Sequence, residues 1–151
     1  MYFRLLYLSF KIYCFIFRPV RMGVRTVMLQ NNEVWLVRHT YLPGWFLPGG
    51  GLKRNETLEQ AARREAFEET GAVLMGMTLM GAFSNFIQWK TDHTVVFLCK
   101  DFKITGKPDG EIAEIRTFPL DELPADVYAS HLRLLEEYGT KGAKSPGYGE
   151  W

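Results

Sequence analysis

The sequence is poor in cysteine, in long apolar runs and in net charge. It has only two cysteines, and no Cys-x-x-Cys or zinc-ligand spacing occurs, so a disulfide framework is excluded and a reducing, cytoplasmic location is expected. The formal net charge of the 151 residues is +1, which is not the basic excess of a nucleic-acid-binding protein; no specific nucleic-acid partner is indicated. With 47% hydrophobic and 23% charged residues, the composition is that of a globular domain.

The N-terminal segment 1–21 is apolar and basic. Its longest charge-free runs are six residues, whereas a helix that crosses a bilayer needs about 20 mostly apolar residues. Arg4, Lys11 and Arg18 recur every seven residues and would share one side of a helix. We expect a basic amphipathic segment that packs on the domain. The alternatives are contact with a membrane surface, a transmembrane or targeting segment, and a biological start at Met22.

Turn signals in the rest of the sequence separate short β-rich runs. The dipeptide Asn31-Asn32 lies between the runs 24–29 and 34–39, and this arrangement predicts a hairpin. Because the predicted strands bracket two helices, the sequence favours a mixed α/β sandwich. The remaining predicted elements are strands at 74–83, 93–99 and 115–119 and a major helix at 126–138. The tail at 139–151 is expected to be loose, with docking of Tyr148 and Trp151 as the alternative.

The other predicted helix follows a glycine- and proline-rich loop at 41–51 and has clear signals at both ends. Thr57 is a favoured N-cap residue, and Gln60 completes a capping box with it. Gly71 suits the left-handed position that follows many helix ends. These signals predict a helix at about 58–70.

Three glutamates crowd onto one side of this helix. Glu65, Glu68 and Glu69 have the spacing i, i+3 and i+4, and residues with this spacing share a helix face. Like charges so placed repel by roughly a few tenths of a kcal/mol per pair, so the helix has little structural reason to carry them unless a cation binds there. Clustered hard oxygen ligands suit Mg²⁺, with Mn²⁺ as the alternative.

The residues around these glutamates resemble the Nudix box, G-x5-E-x7-R-E-U-x-E-E-x-G-U. Its two bulky aliphatic positions hold Ala66 and Ala72 here, a departure that concerns packing rather than chemistry. The segments 45–50 and 118–124 also resemble the family, so the resemblance covers about residues 22–138. The seven positions of fixed identity all match, and they are Gly50, Glu56, Arg64, Glu65, Glu68, Glu69 and Gly71.

The resemblance implies a Nudix-type α/β/α sandwich with a mixed β-sheet at residues 22–138, with the N-terminal segment 1–21 before it and the tail 139–151 after it. It also implies a metal-dependent enzyme that cleaves the pyrophosphate linkage of a nucleoside diphosphate derivative. The expected partner is a small nucleotide, and its identity stays open among nucleoside triphosphates, dinucleoside polyphosphates, nucleotide sugars, ADP-ribose and capped RNA. A non-catalytic nucleotide-binding module is the alternative, and a homodimer is left open.

Residue roles follow from the resemblance, position by position. Glu65, Glu68 and Glu69 would coordinate the metal ions, and Gly50 would offer its backbone carbonyl as a further ligand. Arg64 would pair with a box carboxylate and orient it. The metals would neutralise the bound diphosphate and lower the pKa of an attacking water.

Residues outside the box complete the predicted site. A general base in this family often comes from outside the box, and Glu111 is the preferred candidate. Glu114 or a box glutamate is the alternative. Arg38 and His39 are candidates for contacts with substrate phosphate, or else form a surface pair at a strand end. Trp45 is a candidate for stacking on a base, or else packs the loop against the sheet.

Overall fold

A mixed β-sheet with helices on both faces forms the body of the protein, in a computed structural model that describes residues 2–86, 89–142 and 147–151. The elements in chain order are α1 Tyr2–Phe17, β1 Val20–Gln30, β2 Glu33–His39, α2 Leu58–Thr70, β3 Ala72–Asn85, β4 Thr91–Ile104, β5 Ile112–Pro119, α3 Ala129–Lys141 and β6 Tyr148–Glu150. Over the described residues, the sheet has six strands in the order β5-β2-β1-β4-β3-β6. The pairs β1–β4 and β3–β6 are parallel, and the others are antiparallel.

Strands β1 and β2 form the predicted hairpin. Asn31 and Asn32 have φ angles of 52° and 64°, and a two-residue turn with two positive φ angles matches the twist of the strands that it joins. Leu29 pairs with Val34 across the hairpin. The hairpin prediction is therefore confirmed, and β1 continues into the middle of the sheet beside β4.

Helices α2 and α3 cover opposite faces of the sheet. Alternate residues of β1 point to opposite faces: Val24 and Met28 pack with α2, whereas Val27 packs with α3. The two alanines of the motif belong to this packing, because Ala66 and Ala72 are fully buried against Met28 and its neighbours. The predicted α/β/α sandwich with a mixed sheet is confirmed.

Helix α2 has the predicted bounds. Thr57 accepts a hydrogen bond from the amide of Gln60, and the side chain of Gln60 accepts one from the amide of Thr57, so the capping box is complete. Gly71 follows the helix with φ 71°, and a Cβ there would lie 2.4 Å from the carbonyl of Gly106. Local sequence signals suffice to place this helix, which carries the three crowded glutamates.

Helix α3 begins three residues later than residue 126, where the sequence predicts it. Backbone hydrogen bonds hold the chain extended before it: the amide of Trp45 donates to Asp126, and the amide of Tyr128 donates to Trp45. Val127 thereby forms a parallel bridge with Trp45. This bridge joins residues more than 80 positions apart, so the local pattern does not reveal it.

The end of the tail lies against the sheet, so the alternative of a docked Trp151 is confirmed, whereas Tyr148 is exposed. Strand β6 pairs with β3, and the ring of Trp151 stacks on Phe83 with centroids 5.2 Å apart. The same indole makes a T-shaped contact with the imidazole of His131, with centroids 5.1 Å apart. Strands β3 and β4 are also longer than predicted, with 14 residues each.

Helix α1 lies against the body through one side only. Cys14 is buried on that side, and Tyr7 and Phe10 are half-buried there. The outer side is apolar but exposed, as at Leu8 and Ile12. No helix in the described part of the chain is long and apolar enough to cross a membrane.

Candidate active site

The glycine loop at residues 49–51, α2 and the start of β1 enclose a cleft with a volume of about 350 Å³. Carboxylates and cations both line the cleft, which is therefore polar and of mixed charge. The acidic residues in its lining are Glu65, Glu69, Glu111 and Asp92, and the basic residues are Arg21, Arg25 and Lys90, of which Lys90 forms an ion pair with Asp92. Gly49, Gly50, Gly51, His39 and Tyr41 also line it.

Backbone hydrogen bonds fix the glycine loop on β1. The amide of Val24 donates to the carbonyl of Gly50 at 2.9 Å, and the guanidinium of Arg25 donates to the carbonyl of Gly49. A carbonyl oxygen has a second lone pair, so the bond from Val24 still leaves Gly50 an acceptor site. Gly23 lets the two segments approach closely, because a Cβ there would lie 2.9 Å from the oxygen of Gly50.

Gly50 also makes room for a carboxylate. A Cβ on Gly50 would lie 2.6–2.7 Å from the carboxylate atoms of Glu65, so a larger residue would displace this side chain. The carboxyl group of Glu65 therefore lies directly against the loop. Since the side chain of Glu65 is mostly buried, its position depends on this loop and on its ion pair with Arg64.

Arg64 gathers the box carboxylates around one guanidinium. It donates two hydrogen bonds to Glu56, of 2.6 and 2.8 Å, and holds the pKa of that carboxyl down to about 2. Its Nη1 also donates to Glu65 at 2.6 Å and to Glu68 at 3.0 Å. A fifth bond, 3.1 Å long, reaches the carbonyl of Gly51. One arginine thus links α2 to the loop and orients two of the three clustered glutamates.

Glu69, the third clustered glutamate, is buried and points to the loop from the last turn of α2. Its Oε2 accepts a hydrogen bond of 2.9 Å from the amide of Gly49. Burial raises the pKa of this carboxyl to about 8, against the opposing effects of Arg25 and the Gly49 amide.

Glu68 differs from its two neighbours in exposure. It is 38% exposed and pairs with Lys53 as well as with Arg64. Within residues 2–86, 89–142 and 147–151, no group of three or more His, Cys, Asp or Glu side chains is arranged to hold a metal ion. Glu65 and Glu68 both pair with the guanidinium of Arg64.

His39, Tyr41 and Glu111 form a second polar group in the cleft. The hydroxyl of Tyr41 donates to Glu111 at 3.4 Å, and burial raises the pKa of the glutamate, with Asp109 adding to the effect. Burial also raises the pKa of Tyr41 to about 12. His39 Nε2 lies 3.9 Å from Glu69, and burial lowers the pKa of its imidazole to about 4, so this histidine is neutral.

Two of the predicted substrate contacts lie elsewhere. Arg38 pairs with Glu114 at 3.3 Å and Asp126 at 3.2 Å, and its guanidinium lies 4.3 Å from the ring centroid of Trp45. Trp45 is buried in the hydrophobic core that lies beneath α3. Neither residue lines the cleft, because successive side chains of β2 point to opposite faces and only His39 faces it. Glu114, which pairs with Arg38, does not line the cleft either.

The cleft residues that sequence reasoning missed are Arg21, Arg25, Tyr41 and Lys90. A signal for two of them exists: Arg21 and Arg25 stand on either side of Gly23 at alternate positions of one strand, and such residues share a face. Tyr41 and Lys90 reach the cleft from loops, where no periodic pattern places a side chain.

Comparisons with known proteins agree with this geometry. A family model described as NUDIX domain matches residues 19–138. The chain is 28% identical over 121 residues to the ADP-ribose pyrophosphatase of Methanocaldococcus jannaschii, across 77% of this chain and 71% of the relative. A crystal structure of a MutT NUDIX hydrolase from Burkholderia pseudomallei has a TM-score of 0.69 and 25% identity, and the match covers 78% of this chain and 96% of that one.

A further relative matches over a shorter part of its length. The chain is 34% identical over 80 residues to the RNA pyrophosphohydrolase of Xanthomonas oryzae pv. oryzae. The match covers 53% of this chain and 38% of that protein, so well over half of the relative lies outside the match.

Proposed function

This chain belongs to the NUDIX family, and we propose that it is a divalent-metal-dependent hydrolase that cleaves the pyrophosphate linkage of a nucleoside diphosphate derivative. The observation that carries the proposal is the charge pattern of one cleft. The carboxylates of Glu65 and Glu69 lie against the glycine loop, and the cations Arg21, Arg25 and Lys90 line the same cavity. Such a cleft suits a metal-bound diphosphate, since the acids hold the metal and the cations face the phosphates.

The donor set fits Mg²⁺, with Mn²⁺ as the alternative. Glu65, Glu68 and Glu69 offer carboxylate oxygens and Gly50 offers a carbonyl oxygen, and hard cations prefer such ligands. The close approach of the Glu65 carboxylate to Gly50 supports the fit, because a Cβ at Gly50 would lie only 2.6–2.7 Å from that carboxylate. Burial disfavours a charged Glu69, and a divalent cation would offset that cost. When bound, the metal supplies charge neutralisation and activates a water.

The chain's own residues orient the metal ligands and accept the proton of the attacking water. Arg64 holds Glu65 and Glu68 in place. We assign the role of general base to Glu111, which lines the cleft and accepts the hydrogen bond from Tyr41. A raised pKa brings a carboxylate nearer to the operating pH and makes it a better proton acceptor.

The substrates that the sequence leaves open, two of which also occur in the names of the relatives, define the panel that tests the proposal. It contains ADP-ribose, nucleoside triphosphates, dinucleoside polyphosphates, nucleotide sugars and RNA with a 5′-triphosphate, each assayed with Mg²⁺, with Mn²⁺ and with EDTA. We expect hydrolysis of at least one of these compounds with metal and none with EDTA. The products are separated by chromatography, so that the bond that breaks is identified.

A matched pair of variants on α2 completes this test. Glu69→Gln removes the charge of a proposed metal ligand but keeps an acceptor for the Gly49 amide. Loss of a residue that only orients a metal ligand lowers activity by up to roughly 100-fold, and we expect the loss of a ligand to lower kcat by more than this. Glu59→Gln changes an exposed glutamate that pairs with Arg63 and should behave like the wild type. If wild type and Glu69→Gln are equally inert across the panel, the chain is a non-catalytic module.

A further inference from the structure

A second cavity, with a volume of about 390 Å³, opens beside the cleft and beneath helix α1. Ligand pockets in proteins start at about 300 Å³, so this cavity has room for a small planar group. It is continuous with the cleft, because six residues line both cavities: Arg25, Leu42, Phe46, Lys90, Asp92 and Thr94. A ligand whose phosphates lie in the cleft therefore has its other end at this cavity.

Aromatic rings form the inner wall of the second cavity. Phe46 and Tyr128 stack with centroids 5.3 Å apart and an interplanar angle of 26°. His131 makes edge contacts with both rings, with centroids 6.0 and 5.3 Å apart, and Trp151 contacts His131 in the same way. Burial keeps the pKa of His131 well below its usual range, so this ring adds no charge to the wall. Such a surface favours a planar, apolar ligand group.

Helix α1 supplies the outer wall. Tyr7 and Phe10 line the second cavity from the inner side of the helix. The ring of Tyr7 lies 6.1 Å from that of Tyr41, and the ring of Phe10 lies 4.7 Å from the guanidinium of Arg21. Both contacts reach residues of the cleft. These two aromatics thus stand between the solvent and the cavity, at the point where it joins the cleft.

Polar groups also line the second cavity. Asp92 and Thr94 line both cavities, whereas Asn85, which is paired in register with Asp92 across β3 and β4, lines the second cavity alone. The carboxylate of Asp92 is ion-paired with Lys90 and has further acceptor sites, and this carboxylate and the hydroxyl of Thr94 suit the edge of a heterocyclic base. Aromatic side chains and a polar edge are the combination with which proteins bind unstacked bases.

We propose that helix α1, which lies outside the family-matching residues 19–138, forms the outer wall of a nucleobase-binding pocket through Tyr7 and Phe10. The proposal rests on the proposed function, which places the phosphates of the same nucleotide in the cleft. It narrows the substrate to a nucleotide whose own base lies next to the pyrophosphate that is cleaved. It also gives α1 a role in binding instead of a role in packing alone.

Calorimetric titration of the full chain with nucleoside 5′-monophosphates tests this pocket without catalysis. AMP, GMP, CMP and UMP contain no pyrophosphate, so each can be titrated in the presence of Mg²⁺. Ribose 5-phosphate is the matched ligand, since it has the sugar and the phosphate but no base. Stacking on aromatic side chains gives an affinity gain of at least about fivefold per base. We expect at least one monophosphate to bind tighter than ribose 5-phosphate by this factor or more.

Two double variants of α1 separate the proposed wall from the helix itself. Tyr7→Leu/Phe10→Leu keeps apolar side chains on the inner side but removes both rings, and the preference for the monophosphate should fall at least about fivefold. Leu8→Ala/Ile12→Ala alters the exposed outer side and should retain the preference. The affinity for ribose 5-phosphate should be the same in all three proteins.

Equal binding of all ligands by the wild type overturns the proposal, as does a preference that survives in Tyr7→Leu/Phe10→Leu. Either result is distinguishable from failure of the proposed function. A protein that prefers the monophosphate but hydrolyses nothing in the panel has the pocket without the activity. A protein that hydrolyses the panel but shows no preference for a base has the activity without the pocket.

Discussion

Arg64 and Glu56 face each other through two parallel hydrogen bonds, Nε to Oε1 at 2.6 Å and Nη2 to Oε2 at 2.8 Å. This fork leaves Nη1 free to turn towards Glu65 and Glu68, to which it also donates. Only the planar guanidinium can make both sets of bonds at once, because the ammonium of lysine is a point charge with no fixed fork. Arg64, which is not itself a proposed metal ligand, therefore fixes the orientation of two residues that are.

Substitution of Arg64 by lysine tests this role while the charge is kept. We expect Arg64→Lys to lower kcat/KM by about 10- to 100-fold, the usual cost of losing a residue that orients metal ligands. A titration with Mg²⁺ should show that more metal is needed for half-maximal activity. Arg116→Lys is the control, because Arg116 is exposed and pairs with Glu114 away from the cleft. Equal effects of the two substitutions would contradict the positioning role.

The two candidate general bases can be told apart by their positions. Glu111 lines the cleft and is bonded to Tyr41, whereas Glu114 pairs with Arg38 and Arg116. Glu111→Gln should lower kcat by about 10²- to 10⁴-fold, the range that general-base catalysis contributes. Glu114→Gln should leave kcat unchanged. The measurement is steady-state hydrolysis of the substrate identified in the panel, and an unaffected Glu111→Gln enzyme would return the role to a box glutamate.

Sequence signals that act over a few residues predict the fold well. The turn at Asn31 and the ends of helix α2 follow from neighbours within four positions along the chain, and the structure confirms both. The start of helix α3 does not follow from such signals. Hydrogen bonds between Trp45 and residues 126–128 set it, and nothing near residue 126 in the sequence reveals them.

The same division holds for the candidate site. The spacing of the box reveals the crowded glutamates, because they share one helix. The cations of the cleft come from β1 and from the loop before β4, so only the assembled sheet brings them opposite the acids. Arg38 shows the limit of sequence position as a guide, since it adjoins His39 in the chain yet faces the other way.

The last prediction concerns His131, whose imidazole is buried and accepts a hydrogen bond of 3.1 Å from the amide of Leu47. Burial lowers its pKa well below the usual value of 6.5. The unfolded chain therefore binds a proton below pH 6.5 that the folded protein does not, and stability falls as the pH falls. Between pH 7.5 and pH 5.5 this one histidine should reduce the free energy of unfolding by roughly 1 kcal/mol.

Urea unfolding of the wild type and of His131→Asn at the two pH values measures this effect. Asparagine offers an acceptor for the Leu47 amide but does not titrate, so the variant should lose less stability on acidification than the wild type, by roughly 1 kcal/mol. The variant will be less stable at both pH values, because a smaller side chain leaves a cavity beside Phe46 and Trp151. The pH dependence is the decisive quantity, since all other titrating groups are common to both proteins. An equal loss of stability in the two proteins would show that His131 is not held neutral by the fold.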